Sequence, residues 1–151
     1  MANDQSLSSP GEKRILALDV GTKRIGLAVS DPLGITAQGL EVLNRRSRQE
    51  DLAYILKIAR DYQVQQIVVG LPRHMDGRLG AAAPEIMALA EALGKALGVE
   101  VIPWDERLTT AAAERVLIQA DMSRRRRRRV VDQLAAVLIL QTYLDYRAQT
   151  S

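Results

Sequence analysis

The sequence predicts an α/β domain built on one mixed sheet, three antiparallel strands followed by two parallel ones, with helices on both faces. Three observations lead there. Near the amino end, two apolar runs, Ile15-Leu16-Ala17-Leu18 and Ile25-Gly26-Leu27-Ala28-Val29, flank a glycine turn in a hairpin pattern. After residue 47 the apolar positions Leu52, Ile55, Leu56 and Ala59 recur at helical spacing. Beyond them, two short runs, Gln66-Ile67-Val68-Val69-Gly70 and Val99-Glu100-Val101-Ile102-Pro103, alternate with helical stretches, as parallel strands joined by crossover helices do.

Element by element, strands are expected at about 14–20, 24–30 and 35–43, with Asp31-Pro32-Leu33-Gly34 turning between the second and third. Ser47 and Glu50 have capping-box spacing, so a helix should start there and run to about Tyr62. The strand at 66–70 leads into a Gly/Pro-rich loop, Leu71 to Gly80, and an alanine-rich helix fills about 82–97. The strand at 99–103 is followed by helices at about 109–119 and 129–147. On the last helix the stripe Leu134, Val137, Leu138 and Gln141 is expected to be mainly core. Residues 1–13 are expected to be a disordered tail, 14–147 the domain, and 148–151 a short C-terminal tail.

Composition excludes several function classes. A chain of 151 residues is long enough for one domain with a real hydrophobic core. It has no cysteine, which removes disulfides and thiolate metal sites and suits a reducing cytoplasm, the expected location. No apolar run is long enough to span a bilayer, so no membrane partner is expected. One Trp, four Tyr and no Phe argue against an aromatic base-stacking platform. Net charge is +3, yet Arg124, Arg125, Arg126, Arg127, Arg128 and Arg129 supply six adjacent positives, so the remainder is net acidic. Six neighbouring guanidinium groups repel one another, and their planar donors match phosphate oxygens; the reading is a grip on nucleic-acid backbone, with a solvated helix face or linker as the alternative.

The acids carry the chemistry. Asp19 ends the first apolar strand, where an uncompensated carboxylate costs several kcal/mol, at the mouth of the turn Gly21-Thr22-Lys23-Arg24. Lys23 and Arg24 can help hold phosphate there. Asp105 and Glu106 follow the last strand, where open α/β sheets bind ligands, and spacing does not choose between them. Asp132 is expected in the first turn of the last helix, where the helix dipole alone would also explain an acid. Carboxylates without His or Cys beside them favour Mg²⁺ or Mn²⁺, and with an arginine cluster they suggest metal-assisted phosphodiester hydrolysis. His74, the single histidine, is expected to be a solvated loop residue, and Asp31 a turn former.

Four segments resemble the YqgF/RuvX family: Asp19-Val-Gly-Thr-Lys-Arg-Ile-Gly-Leu-Ala-Val-Ser-Asp31, Gly70-Leu-Pro-Arg-His-Met-Asp-Gly77, Asp105-Glu-Arg-Leu-Thr-Thr110, and Ser123 through Arg129 to Val131-Asp132-Gln-Leu-Ala-Ala136. The resemblance spans about residues 13–147. It implies an RNase H-like, five-stranded mixed sheet, related to Holliday-junction resolvases. It further implies a metal-dependent nuclease acting on the 5′ end of the 16S rRNA precursor. Carried over, it makes Asp19, Glu106 and Asp132 the catalytic, metal-holding acids, with Glu106 preferred to Asp105 by analogy alone. Two Mg²⁺ (or Mn²⁺) ions about 3.5–4 Å apart are then expected, bridged by Asp19, with Glu106 and Asp132 holding one each. The expected partner is nucleic acid, pre-rRNA before branched DNA, and the expected state a monomer or weak homodimer. The alternatives are a four-way DNA junction resolvase and a non-catalytic RNA-binding module.

Overall fold

The computed structural model describes residues 14–107 and 124–150, with the side chains of 124–132 outside the description. β1 (Arg14–Val20) and β2 (Arg24–Ser30) form an antiparallel hairpin, Leu16 opposite Val29 and Val20 opposite Ile25. Gly21 closes it by donating to Arg24 O at 2.8 Å. A Cβ at Gly21 would lie 2.9 Å from that same oxygen, which is why the turn takes glycine.

The strand expected at 35–43 is interrupted. It appears as β3 (Ala37–Gly39) and β4 (Leu43–Asn44), both antiparallel to β2. Between the pairs Gly39–Ala28 and Leu43–Ile25, four residue steps face three on β2, so one residue is extra and the edge bulges outward. After α1 (Arg48–Asp61), β5 (Val64–Leu71) pairs parallel to β1; after α2 (Ala83–Leu97), β6 (Glu100–Asp105) pairs parallel to β5. The sheet order β3-β2-β1-β5-β6, with β4 also on β2, is the mixed sheet expected. Ser47 caps α1 as its spacing indicated, its hydroxyl accepting from Glu50 N at 3.0 Å.

Strand alternation sorts side chains onto two faces. One face carries Leu16, Leu18, Leu27, Val29, Ile67 and Val69 against Ile55 of α1 and Leu89 and Leu93 of α2. The other carries Ile15, Ala17, Ala28 and Val68 against the last helix, α3 (Arg124–Thr150), through Ala136, Ile139, Leu140 and Tyr143.

α3 departs from expectation in three ways. The described helix runs from Arg124, so the arginine run is helical backbone; a linker before the helix falls away and a solvated helix face stays open as the alternative. Asp132 is therefore its ninth residue, outside the first turn, and the dipole explanation for that acid falls away. Its core stripe is Ala136, Ile139, Leu140 and Tyr143, while Leu134, Val137, Leu138 and Gln141 are only half-buried. Apolar residues encircle this part of the helix, so periodicity did not single out the packed face. The helix also continues through Thr150. The helix expected at about 109–119 lies outside the described residues. No helix among the described residues is long and apolar enough to cross a membrane.

Candidate active site

Because β1, β5 and β6 are parallel, their carboxyl ends meet at one edge of the sheet. Asp19 stands at that end of β1. It is half-buried and shares strand parity with Ile15 and Ala17, so it belongs to the α3 face. The register Leu18–Val69 on the neighbouring strand brings Gly70 alongside it. A Cβ on Gly70 would meet Ile139 Cδ1 at 2.6 Å and Glu106 Cβ at 3.8 Å. Gly70 thus leaves room for Ile139 of α3 to sit directly on the strand, with Asp19 to one side and Glu106 to the other. Glu106 extends the parallel ladder by one bond, donating its N–H to Leu71 O at 3.1 Å, and has the parity of Ile102 and Trp104 on the α3 face.

The two acids that spacing could not separate are in different circumstances. Asp105 is held by Arg107: Nε lies 3.1 Å from each carboxylate oxygen and Nη2 2.7 Å from Oδ2. That pair holds the Asp105 carboxyl below its ordinary value and raises the Arg107 guanidinium. Glu106 is half-buried beside Gly70 on the face that carries Asp19.

α3 approaches the same edge with its amino-terminal half. Gln133 Nε2 donates to Leu40 O at 3.2 Å, near the edge. At the far end Gln141 accepts from Ala37 N and donates to Ile35 O, both at 3.0 Å, and Tyr143 OH donates to Gln66 Oε1 at 3.0 Å. Position 132 precedes Ile139 by two turns on the same helical stripe, about 10 Å along the axis toward the edge. Positions 124–129 then continue beyond it, about 15–22 Å from Ile139. Among the described residues no group of three His, Cys, Asp or Glu can hold a metal ion, the side chain of Asp132 lying outside them.

Around the glycine turn, Lys23 is exposed and Arg24 half-buried. A brace that sequence reasoning missed supports this turn. Arg45 Nη1 donates to Gly21 O at 3.0 Å and its backbone N–H to Lys23 O at 2.9 Å, while its Nε reaches Asp51 Oδ2 at 3.3 Å. Asp51 is 1% exposed, and its other oxygen accepts from Arg46 N at 3.1 Å. Its only sequence signal was an acid in a helix's first turn, which the dipole explains without any ion pair. Asp31 behaves as the turn former expected, Oδ1 accepting from Ile35 N (2.7 Å) and Thr36 N (2.9 Å). His74 is exposed in the loop after β5.

Comparison with known proteins bears on both fold and family. The described fold is similar to RuvC of T. thermophilus in complex with a Holliday junction (TM-score 0.61, 16% identity, 92% of this chain and 98% of that one). It is also similar to the fowlpox virus Holliday junction resolvase (TM-score 0.53, 17% identity, 88% and 99%). At such identities the likeness speaks for the RNase H-like fold alone. In sequence, the chain is 56% identical over 136 residues to a Moorella thermoacetica protein named "Putative pre-16S rRNA nuclease", covering 90% of this chain and 97% of that one. A Listeria monocytogenes protein of the same name is 48% identical over 134 residues, covering 87% and 97%. The family model described as "RuvX: Holliday junction resolvase" matches residues 13–146, and with nearly the whole domain covered, the chain belongs to the RuvX family.

Proposed function

We propose that this protein is a metal-dependent nuclease that hydrolyses phosphodiester bonds in RNA, with the 5′ end of the 16S rRNA precursor as its substrate. The observation that carries the reading is the pair of half-buried carboxylates, Asp19 and Glu106, on one face of the sheet with side-chain-free Gly70 between them. The RNA substrate is taken from the names of the relatives.

The residues present suit a hard divalent cation such as Mg²⁺ or Mn²⁺, since all the donors are carboxylate oxygens. When bound, such an ion supplies activation of the attacking water and neutralisation of charge on the phosphate. Asp19 and Glu106 would hold it at the edge, and Asp132, from α3, would complete the acid set. Asp105, occupied by Arg107, would stay out of the set. The helical run Arg124 to Arg129 would grip phosphates without reading bases, with Lys23 and Arg24 on the other side of the carboxylates.

The family description favours a second reading, resolution of four-way DNA junctions. A resolvase cuts symmetrically and so needs a dimer, whereas rRNA trimming does not. A non-catalytic RNA-binding module would have no use for Asp19 and Glu106. The discriminating experiment is Mg²⁺-dependent cleavage of 16S precursor RNA beside a four-way DNA junction, with Asp19→Asn as control and the mass measured by ultracentrifugation. Mg²⁺ or Mn²⁺ should support cleavage of the RNA and Ca²⁺ little of it. Cleavage of the junction by a dimer, with the RNA untouched, would establish the second reading. Full activity in excess chelator contradicts both nuclease readings.

A further inference from the structure

The loop between β5 and α2 is a small hydrogen-bonded hairpin. Arg73 and Leu79 form an antiparallel bridge. His74 N donates to Arg78 O at 2.8 Å, Gly77 N to His74 O at 2.9 Å and Gly80 N to Pro72 O at 2.8 Å. Gly77 takes φ +93°, a conformation that suits glycine at the tip. Side chains lock the turn further: Arg78 Nε reaches Asp76 Oδ2 at 2.7 Å and Arg73 Nη1 reaches Gly77 O at 2.6 Å. Arg107 fastens the hairpin to the sheet edge. While its Nε and Nη2 hold Asp105, its Nη1 donates to His74 O at 3.1 Å and Met75 O at 3.3 Å. A rigid finger therefore stands beside Glu106.

At its tip Met75 is 98% exposed. Exposed single apolar residues are common, but this one crowns an ordered turn and is flanked by exposed Arg73, His74 and Arg78. A thioether packs favourably against an aromatic ring, by its face or its edge. The one Trp in the chain packs edge-on against Tyr143 and Tyr146 on the α3 side of the sheet. A nucleobase offers such a face, and the surrounding guanidinium groups favour the phosphates that come with it over an apolar protein partner.

Resting on the nuclease reading for its place beside the scissile bond, we propose that this hairpin is a nucleic-acid contact. Met75 packs on an unpaired base next to the cleavage site, and Arg73 and Arg78 lie along the adjoining backbone. Bases stacked within a blunt duplex present no free face, so the contact selects single-stranded or junction-flanking nucleotides.

The test uses the full chain and its Met75→Ala and Met75→Phe variants. Binding is read by anisotropy on a single-stranded RNA oligonucleotide carrying 2-aminopurine and on a blunt RNA duplex, at one salt concentration. Met75→Ala should weaken binding of the single strand about three- to tenfold, the range of a sulfur–aromatic contact. It should abolish the change in 2-aminopurine emission and leave duplex affinity within about twofold. Met75→Phe should restore both, and melting curves should not move, since the tip buries nothing. An equal loss on both RNAs, an unchanged emission response, or wild-type binding by Met75→Ala overturns the proposal. Because binding is the readout, absence of cleavage by every variant would sink the nuclease reading without deciding this one. Normal cleavage and binding by Met75→Ala would sink the finger alone.

Discussion

On the α1/α2 face the sheet presents Leu16, Leu18, Leu27, Val29, Ile67 and Val69; on the α3 face Ile15 and Val68 are interspersed with the smaller Ala17, Ala28, Gly39 and Gly70. The first set is bulky and joins one broad cluster with the helices above it. The second is richer in small residues, and these let α3 settle onto the strands: a Cβ at Gly39 would meet Gln133 at 3.0 Å, and one at Gly70 would meet Ile139 at 2.6 Å. Apolar area removed from water stabilises at about 25 cal/mol per Å², so the bulky face supplies more of the folding free energy. The small-residue face supplies position. It sets how deep α3 sits, and so where position 132 and the arginine run stand relative to Asp19 and Glu106.

Substitutions on the two faces should therefore separate stability from activity. On the bulky face, Leu89→Ala removes a side chain that is 2% exposed and should cost about 2–5 kcal/mol in urea unfolding. Below its melting temperature the variant should cleave within about twofold of the parent. A large activity loss in folded protein would break the division between faces. On the small-residue face, Gly70→Ala should cost about 1–3 kcal/mol through overpacking against Ile139. In protein that is still folded, cleavage should fall about tenfold or more, because misplacing a site by an ångström is costly. Adding Ile139→Ala should recover part of that loss, and a double variant no more active than Gly70→Ala would show that helix depth is not the cause.

The arginine run on α3 should give a smaller effect. Six consecutive helical positions point all round the axis, so about half can face one ligand. Changing Arg125, Arg126, Arg127 and Arg128 to Gln should flatten the dependence of log affinity on log salt by about one to two units. The melting temperature should hold or rise slightly, since positive charge at a helix amino end opposes the dipole. An unchanged slope with lost folding would make the run structural. The smallest effect concerns Asp31. Backbone amides, that of Thr36 foremost, hold its carboxyl below the ordinary 3.8. A depressed folded value means stability present above the unfolded pKa and lost as pH falls through the folded one. Asp31→Asn should flatten the acid side of the melting-temperature profile, below about pH 4, and a parallel shift at every pH would contradict this origin.

The hairpin, the α1 cap and both parallel strands were legible because each rests on local signals: alternation, a capping box, short β-branched runs. The bulge that divides β3 from β4 was not, since nothing in Leu40-Glu41-Val42 marks an extra residue before its partner strand is known. Asp19 was legible as a carboxylate out of place in an apolar strand. Glu106 was separated from Asp105 only by resemblance, because parity at a strand's end depends on where the ladder stops. Arg107 was missed altogether; an arginine after two acids reads as solvated, yet its side chain reaches carbonyls more than thirty residues away in sequence. Gly70 looked like a loop glycine, and its meaning lies in the helix packed above it.

Which carboxylate at the end of β6 serves the proposed site is tested most directly by comparing cleavage rates of Glu106→Gln and Asp105→Asn on the same precursor RNA in Mg²⁺. Glu106→Gln should lose at least about a hundredfold while still binding RNA, since it strips charge from the proposed metal-holding set. Asp105→Asn should keep most of the rate and lose some order in the hairpin that Arg107 anchors. An inactive Asp105→Asn beside an active Glu106→Gln would contradict the account, placing the reacting acid on the other face of the sheet.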